Sequence, residues 1–153
     1  MKELQIDDKA PVFELLNQDG VKISLSDFLG KKIVLYFYPK DNTPGCTTQA
    51  CEFSQNYEDF LGQNTVIIGI SPDSVKSHEN FIKKYDLKHT LLSDSEKEIC
   101  KLYGAWGLKK NYGKEYEGLI RSTFVINEEG NITKIYKNVK AKDHAFKVLK
   151  ELC

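Results

Sequence analysis

Short apolar runs alternate along this chain with stretches of helical spacing, and the alternation predicts strands and helices in turn. Residues 33–38 and 65–70 are apolar without polar alternation, as expected for central strands buried on both faces. Between them, apolar side chains recur at helical spacing from Cys46 to Leu61, which predicts one helix with a face in the core. This strand-helix-strand order predicts a right-handed βαβ unit and therefore a parallel core.

Two hairpins are predicted at the ends of this parallel core. Residues 11–25 contain two short strand-like runs about a polar turn with an Asp-Gly pair, which favours an N-terminal β-hairpin. Residues 26–30 then suggest one capped helical turn. Near the C-terminus, residues 121–139 predict a second hairpin about the turn 127–130.

The remaining pattern predicts further helices and a loop. A helix is predicted over residues 74–85, a short strand over 90–92 and a short helix over 95–103. Residues 104–118 are rich in glycine and charge, which is typical of a loop, and they are expected to be the most mobile stretch. The last helix is predicted to begin at Asp143 and to bury the side chains of Ala145, Phe146, Val148, Leu149 and Leu152.

The complete order of elements predicts one domain over residues 1–153. Its class is α/β, with a mixed central sheet, helices on both faces of the sheet and an N-terminal β-hairpin. At 153 residues, of which 41% are apolar, the chain is long enough to bury a real hydrophobic core.

Charge and cysteine content narrow the function. The chain has 22 Lys and Arg against 22 Asp and Glu, so no net field gathers nucleic acid or an anionic membrane, and small neutral substrates suit this balance. No apolar run reaches the roughly 18 residues of a membrane span, and the N-terminus lacks an apolar signal core. Four cysteines are too few for a disulfide scaffold, which favours catalysis in a reducing compartment, and the cytoplasm is the expected location.

The candidate chemistry lies between the first buried strand and the helix behind it. Two prolines and a glycine interrupt residues 39–45, so Cys46 falls in the first turn of a helix that leaves a central strand. The first turn presents unpaired backbone N–H groups and the positive end of the helix dipole, and both favour a thiolate over a thiol. Thr43 is close enough for its hydroxyl to serve the same pocket, while Pro39 and Pro44 stiffen the loop.

Cys51 is a second cysteine on the same predicted helix. Five residues of helix separate the two Cα atoms by about 8.7 Å, whereas a disulfide requires about 4.4–6.8 Å. The first turns of the helix must therefore unwind if the two cysteines ever pair. This spacing disfavours a permanent structural bridge and favours a transient one, formed during a catalytic cycle.

Five motifs follow one another along the chain. The first is the Pro-x-x-x-Thr-x-x-Cys pattern at Pro39, Thr43 and Cys46, and the others cover residues 69–73, 91–94, 103–106 and 118–126. Together they resemble the peroxiredoxins, and among them the bacterioferritin comigratory protein, or PrxQ, subfamily. One small departure from many relatives is Asn127, which lies in a turn and not in the site. The resemblance implies a thioredoxin-like fold and the thiol-dependent reduction of hydrogen peroxide and organic hydroperoxides, with no cofactor or metal.

The resemblance also implies a role for each matching residue. Cys46 attacks the peroxide and becomes a sulfenic acid. Thr43 and Arg121 hold the peroxide in place, and Pro39 closes the pocket. Cys51 then condenses with the sulfenic acid to form an intramolecular disulfide, which thioredoxin or a similar dithiol protein reduces. A monomer is expected.

Several other residues have plainer interpretations. Cys100 lies on a short amphipathic helix and is expected to pack in the core, whereas Cys153 is the last residue and is expected to have no role. Trp106 either packs over the pocket or packs into the core, and the sequence does not rank the two. A zinc site has little support, because no companion at ligand spacing accompanies the histidines at 78, 89 and 144.

Two other functions stay open from the residues alone. A thioredoxin-like disulfide reductase would use a similar fold, but the Cys-x-x-Cys motif expected for it is absent. A redox sensor or holdase would be oxidised once and would then bind a partner in its oxidised form. Turnover discriminates these classes, because a peroxidase consumes many equivalents of peroxide when its reductant is present.

Overall fold

The computed structural model describes residues 3–111 and 113–152. Within these ranges the strands are β1 (Glu14–Asn17), β2 (Lys22–Ser24), β3 (Lys32–Phe37), β4 (Thr65–Ser71), β5 (Thr90–Ser93), β6 (Trp106–Asn111), β7 (Lys114–Leu119), β8 (Ser122–Ile126) and β9 (Ile132–Tyr136). The α-helices are α1 (Pro44–Gln55), α2 (Tyr57–Gly62), α3 (Val75–Tyr85), α4 (Glu98–Leu102) and α5 (His144–Leu152). None of these helices combines the length and the apolarity that crossing a bilayer requires.

Seven strands form one mixed sheet in the order β2-β1-β5-β4-β3-β8-β9. β4 pairs in parallel with β3 on one side and with β5 on the other. The β1-β2 hairpin and the β8-β9 hairpin add antiparallel strands at the two edges. The predicted α/β class, the parallel core and the N-terminal β-hairpin are therefore confirmed.

β3 lies inside this sheet and connects the two halves of the hydrophobic core. Its side chains and the next residue alternate between two clusters: Ile33, Leu35 and Phe37 belong to one, and Val34, Tyr36 and Tyr38 to the other. The first cluster includes Cys100 of α4, whereas the second includes residues of α1, α2, α3 and α5, so helices cover both faces. Each fully buried apolar side chain contributes about 1.5–3 kcal/mol to stability. The strand that ends at the candidate site is thus firmly fixed.

The long helix predicted behind Cys46 is in fact two helices. α1 ends at Gln55 and α2 begins at Tyr57, with Asn56 between them at φ −98° and ψ 10°. The Asn56 side-chain amide donates to the Glu52 carbonyl at 2.8 Å, and this local hydrogen bond competes with continuation of the helix. The apolar periodicity runs through the break because Phe53 and Phe60 pack in the same cluster.

The prediction of a loop over residues 104–118 is wrong, because most of this stretch forms a second, two-stranded sheet. β6 pairs antiparallel with β7, from Trp106 opposite Leu119 to Asn111 opposite Lys114. The cross-strand pairs include Lys109 with Tyr116. Because most of β7 is exposed to solvent, its polar side chains show no apolar alternation, and the sequence pattern therefore looks like a loop.

The predicted burial of Phe146 is also wrong, since 61% of its surface is exposed. The buried positions of α5 are His144, Ala145 and Val148, so His144 takes an inward position that the sequence reading gave to the phenylalanine. Residues two apart lie on different sides of a helix, so one face cannot bury both 144 and 146. Thr123 supports the inward histidine with a hydrogen bond of 2.9 Å to its Nε2.

Several element boundaries differ modestly from the prediction. α3 begins at Val75 after Ser74, whose hydroxyl accepts from the Ser77 N–H at 3.1 Å, as expected of a cap. The predicted capped turn near residue 26 is a 3₁₀ helix over Leu25–Phe28. α4 is shorter than predicted, and β9 ends at Tyr136.

Candidate active site

The loop between β3 and α1 carries the predicted reactive segment. Thr43 is extended and occupies the N-cap position of α1 without a side-chain cap hydrogen bond, and Pro44 occupies the first helical position, where a missing N–H costs nothing. Cys46 is therefore the third residue of the helix, within the first turn whose N–H groups have no partner inside the helix. Its side chain is 1% exposed. The prediction that Cys46 lies in the first turn of a helix leaving a central strand is confirmed.

Arg121 lies beside Cys46 although 75 residues separate them in sequence. The Nη2 atom of Arg121 donates to the Cys46 sulfur at 3.3 Å. The topology explains the contact, because β8 pairs with β3 and sets Ser122 opposite Phe37, so the residue before β8 meets the end of β3. A guanidinium at this distance stabilises a thiolate and offers fixed donors to a peroxide oxygen.

Gly45 permits this close approach. A Cβ atom on residue 45 would lie 3.2 Å from the Arg121 Nη2 atom, which is tighter than an ordinary contact. The absence of a side chain therefore leaves room for the guanidinium between the first turn of α1 and β8. Only hydrogen at this position lets the cation reach the sulfur without displacement.

Gln49 is a site residue that the sequence reading missed. It is fully buried, and its Oε1 atom accepts a short hydrogen bond from Arg121 Nη1. Its Nε2 atom has no hydrogen-bond partner among the described residues. The available signal was spacing, because residue 49 is one helical turn after Cys46 and shares its face. Gln49 thus fixes the plane of the guanidinium that contacts the sulfur.

Thr43 and Pro39 border the same loop. The Thr43 hydroxyl donates to the Lys40 carbonyl at 2.9 Å, which closes a turn of the loop and uses the hydroxyl proton. Its oxygen remains available as an acceptor. Pro39 is half-buried and lies two residues after the end of β3 at Phe37. Their roles in holding and enclosing a peroxide stay predictions.

Cys51 lies on α1, as predicted, and its thiol is free, as is that of Cys46. Both cysteines belong to one unbroken helix, and regular helix geometry places their Cα atoms about 8.7 Å apart. Partial burial raises the pKa of the Cys51 thiol. Its side chain borders a shallow cleft lined by Ser54, Gln55, Tyr85, Asp86 and Lys88.

The other residues singled out from the sequence lie away from Cys46 or outside the residues that the structure describes. Cys100 is fully buried in the first core cluster, as expected, and burial together with the Asp94 carboxylate raises the pKa of its thiol strongly. Trp106 packs against that same cluster, with Lys97 Nζ 5.1 Å from its ring centre, so core packing answers the open question. Cys153 lies outside the described residues.

His78 is not isolated, contrary to the sequence interpretation. Ligand-type atoms of Asp41, Asp73 and His78 lie within 4.8 Å of one another. His78 Nδ1 is 2.7 Å from Asp41 Oδ2, and Asp73 Oδ2 accepts from the Asp41 N–H at 2.7 Å. The facing atoms are thus engaged with each other in a buried hydrogen-bond network. Only the fold brings Asp41 to Asp73 and His78, which lie 32 and 37 residues further along the chain, so ligand spacing gave no signal.

Comparison with known proteins places the chain among peroxide-reducing enzymes. The sequence model of the AhpC/TSA family matches residues 6–135. A peroxiredoxin bcp of Helicobacter pylori (strain J99) is 52% identical over 152 residues, which are 99% of this chain and 100% of that protein. Peroxiredoxin Bcp of Bacillus subtilis (strain 168) is 49% identical over 149 residues, covering 97% of this chain and 95% of the relative.

Solved structures give the same picture. PrxQ of Xylella fastidiosa, solved as a cysteine-to-serine mutant, matches with a TM-score of 0.93 and 35% identity, over 99% of this chain and 97% of the other. The bacterioferritin comigratory protein of Xanthomonas campestris matches with a TM-score of 0.87 and 37% identity, over 92% and 89%. That protein was studied for alkyl peroxide reduction, in trapped intermediate and ligand complexes. The resemblance that the five motifs indicated, with its thioredoxin-like fold, is confirmed.

Proposed function

The chain belongs to the AhpC/TSA family as a peroxiredoxin of the Bcp/PrxQ type, a thiol-dependent peroxidase, and we propose that Cys46 is its attacking thiol. One observation carries this assignment: Arg121 Nη2 lies 3.3 Å from the Cys46 sulfur in the first turn of α1. A cation and a helix N-terminus act together on one sulfur, and both stabilise its anionic form. The substrates are hydrogen peroxide and organic hydroperoxides.

In the first step the Cys46 thiolate attacks the terminal oxygen of the hydroperoxide. The S–O bond forms as the O–O bond breaks, and the leaving oxygen takes up a proton to become water or an alcohol. Cys46 is thereby oxidised to a sulfenic acid. Arg121 and the first-turn N–H groups orient the peroxide oxygens and stabilise the charge that develops on them. Thr43 accepts a hydrogen bond from the substrate, and Pro39 shields the pocket from water.

In the second step the Cys51 thiol attacks the sulfenic sulfur. A disulfide forms between Cys46 and Cys51, and the hydroxyl leaves with the thiol proton as water. Because regular helix keeps the two Cα atoms about 8.7 Å apart, the first turns of α1 unwind before the bond forms. The protein needs no metal, haem or flavin for either step.

A dithiol reductant completes the cycle, and we assign this role to thioredoxin or a similar small protein. Its thiolate attacks the Cys46–Cys51 bridge, a mixed disulfide forms, and its second thiol releases the reduced enzyme. Such reductants are kept reduced in the cytoplasm, which is therefore the proposed compartment. The working unit is a monomeric single domain, since one chain supplies both cysteines.

Mass analysis of the oxidised protein tests the disulfide. After one equivalent of hydrogen peroxide the intact mass of the wild type should fall by one pair of hydrogen atoms, and peptide mapping should join Cys46 to Cys51. A bridge that contains Cys100 would contradict the assignment.

Turnover tests the enzymatic role itself. With thioredoxin, thioredoxin reductase and NADPH present, the protein should consume many equivalents of peroxide. Consumption of a single equivalent, followed by a stable oxidised form, would instead favour a redox sensor. Turnover with a small dithiol but not with thioredoxin would keep the peroxidase and refute thioredoxin as its reductant.

A further inference from the structure

A buried polar network fastens the loop that leads into α1. Asp41 belongs to this loop, yet it is only 6% exposed. We propose that the hydrogen bonds of Asp41, here called the Asp41 clamp, position Cys46 for attack, with His78 as the principal positioning residue. The clamp also sets the N-terminal limit of the unwinding of α1, an inference that rests on the proposed Cys46–Cys51 chemistry.

Asp41 is held on both sides of its carboxylate and through its backbone. Oδ1 accepts from the Tyr38 hydroxyl, while Oδ2 accepts from Ser77 Oγ at 2.8 Å and faces His78 Nδ1 at 2.7 Å. The Asp41 N–H donates to Asp73 Oδ2 at 2.7 Å, and Asp73 also accepts from Ser71 Oγ at 2.8 Å. One loop residue is thus joined to the end of β4 and to the first turns of α3.

His78 extends the clamp to a third element. It is fully buried, and its Nε2 atom faces the Leu92 carbonyl of β5 at 2.9 Å. The Asp41 carboxylate can only accept a hydrogen bond, so the Nδ1–H of His78 is the donor in this short contact. The bond to Asp41 is therefore charge-assisted, which makes it stronger and more directional than a neutral one.

Asn42 extends the attachment by one residue. Its backbone is left-handed, at φ +62°, and its Oδ1 atom accepts from the Tyr85 hydroxyl at 3.0 Å and from Lys84 Nζ at 3.3 Å. By contrast, Thr43 and Thr48 donate to the carbonyls of Lys40 and Pro44, within their own segment. The firm attachment to α3 therefore ends at residue 42, immediately before the part that must move.

Phe53 closes the mobile part at its other end. Its ring stacks on Tyr36 with centroids 4.6 Å apart, and its side chain is fully buried in the second cluster. The segment between residues 42 and 53 contains both Cys46 and Cys51. The clamp and the Phe53 packing thus confine unwinding to the residues that disulfide formation requires, and the segment returns to one defined site after reduction.

His89 provides a matched control within the same core. It is also a buried histidine bonded to a tyrosine of the β3 region, with Nε2 2.7 Å from the Tyr36 hydroxyl. It bonds no residue of the 38–43 loop among the described contacts, and burial lowers its pKa to about 3, so it is neutral. The His89 ring also contacts Phe53, with centroids 6.2 Å apart, so loss of the His89 bond weakens the core at the Phe53 end of the segment without releasing the loop at Asp41.

The experiment compares His78→Asn, His78→Gln and His89→Asn. Asparagine places its amide nitrogen where Nδ1 lies and keeps the bond to Asp41, whereas glutamine reaches only the Nε2 position at Leu92. We expect His78→Gln to lower the single-turnover rate constant of Cys46 oxidation by about tenfold, since small misplacements of a reacting group cost up to about a hundredfold. His78→Asn should keep most of the rate, and His89→Asn should keep all of it while lowering the free energy of unfolding.

Amide exchange supplies the second measurement. In the disulfide form of the wild type, residues 47–51 should lose protection while residue 41, whose N–H donates to Asp73, keeps it. In His78→Gln the loss should spread to residue 41. Ser77→Ala, which removes a single bond to Asp41 from a half-buried position, should do the same more weakly and provides the measurement if His78→Gln does not fold.

Three results would overturn the positioning role. These are equal rates for His78→Asn and His78→Gln, a rate loss in His89→Asn as large as that in His78→Gln, and unchanged protection of residue 41 in the clamp variants. Failure of the proposed function would look different, because wild-type protein would then form no Cys46 sulfenic acid and no Cys46–Cys51 bridge.

Discussion

Cys46 and Cys100 are both buried, and each is the third residue of its helix, but the groups around the two sulfur atoms carry opposite charge. Arg121 donates to the Cys46 sulfur at 3.3 Å. Cys100 lies beside the Asp94 carboxylate, and burial and this anion together raise the pKa of its thiol. Burial and helix position are therefore not sufficient to make a cysteine reactive.

The two helix N-termini differ in the same sense. At α4 the Asp94 carboxylate accepts from the N–H groups of Ile99, at 3.3 Å, and Cys100, at 2.8 Å, so an internal anion already occupies the positive end of the helix. At α1 no side chain caps the first turn. Its donors therefore stay available for the Cys46 thiolate and for a peroxide oxygen, which α4 cannot offer.

Replacing each of the two cysteines by serine tests the contrast between Cys46 and Cys100, and it should give the largest change in activity. Cys46→Ser should abolish peroxide consumption, because a serine hydroxyl is a far weaker nucleophile than a thiolate. Cys100→Ser should leave the rate nearly intact. The measurement is peroxide consumption with the thioredoxin system, and a large loss in Cys100→Ser would mean that the second cysteine has been misassigned.

Cys51→Ser removes turnover but should preserve the first reaction of Cys46. One equivalent of peroxide should be reduced at a near-normal rate, after which the protein stalls as a sulfenic acid and becomes prone to further oxidation. Rapid-mixing kinetics and intact mass measure the two stages. In the wild type, amide exchange measured across residues 45–55 should rise at residues 47–51 on disulfide formation, and equal protection in both redox states would refute the unwinding of α1.

Arg121→Ala makes the surroundings of Cys46 more like those of Cys100. Peroxide attack should slow about 100-fold, as is usual when one transition-state donor is removed. The pH profile of iodoacetamide alkylation at Cys46 should move to higher pH, since the thiolate loses its cation. Arg121→Lys serves as the matched control. Its rate of peroxide attack should fall between those of the wild type and Arg121→Ala, because lysine keeps the positive charge but lacks the two-pronged donor geometry of the guanidinium. An unchanged profile in Arg121→Ala would remove this residue from the site.

Gln49→Ala should produce a smaller loss, of about tenfold, because the guanidinium keeps its charge but loses the acceptor that fixes its plane. Gln49→Glu retains an acceptor at the same place and should recover part of the rate. Steady-state peroxide kinetics measure both variants. Equal rates in Gln49→Ala and the wild type would show that the β8 end alone orients Arg121.

Asp94→Asn should have the smallest effect and tests the Cys100 side of the contrast. Loss of the carboxylate charge should lower the raised pKa of Cys100 somewhat, while burial continues to favour the neutral thiol. Native Cys100 should therefore become slightly more reactive toward iodoacetamide at high pH, with peroxide consumption unchanged. Labelling as fast as that of Cys46 would show that the carboxylate, and not burial, keeps Cys100 inert.

Features that depend on near neighbours in sequence could be predicted. The first-turn position of Cys46 follows from Pro44 and Gly45 together with the apolar spacing behind them, and the β3 and β4 strands follow from unbroken apolar runs. The spacing of Cys51 likewise follows from helix geometry alone. In each case the residues that determine the feature lie in the same strand or helix, or in the loop next to it.

Features that depend on tertiary contacts could not be predicted in this way. Arg121 was identified by family resemblance, since only the pairing of β8 with β3 brings it to Cys46. The partnership of Asp41 with His78 joins residues 37 apart and leaves no periodic signal. The β6-β7 hairpin was not predicted because most of β7 is exposed to solvent and lacks apolar alternation. The exposure of Phe146 was not predicted because His144 takes the inward position of α5.

At Gly45 the stability of α1 and the reactivity of Cys46 place opposite demands on one atom, the Cβ that glycine lacks. Replacement of glycine by alanine inside a helix ordinarily stabilises it by about 0.5–1 kcal/mol. Here the added Cβ atom would lie 3.2 Å from the Arg121 Nη2 atom, so the guanidinium that contacts the sulfur would have to shift by a few tenths of an ångström. Thermostabilising substitutions chosen by helix propensity alone would select against catalysis at this position, and a heat-resistant variant of the enzyme must gain its stability elsewhere.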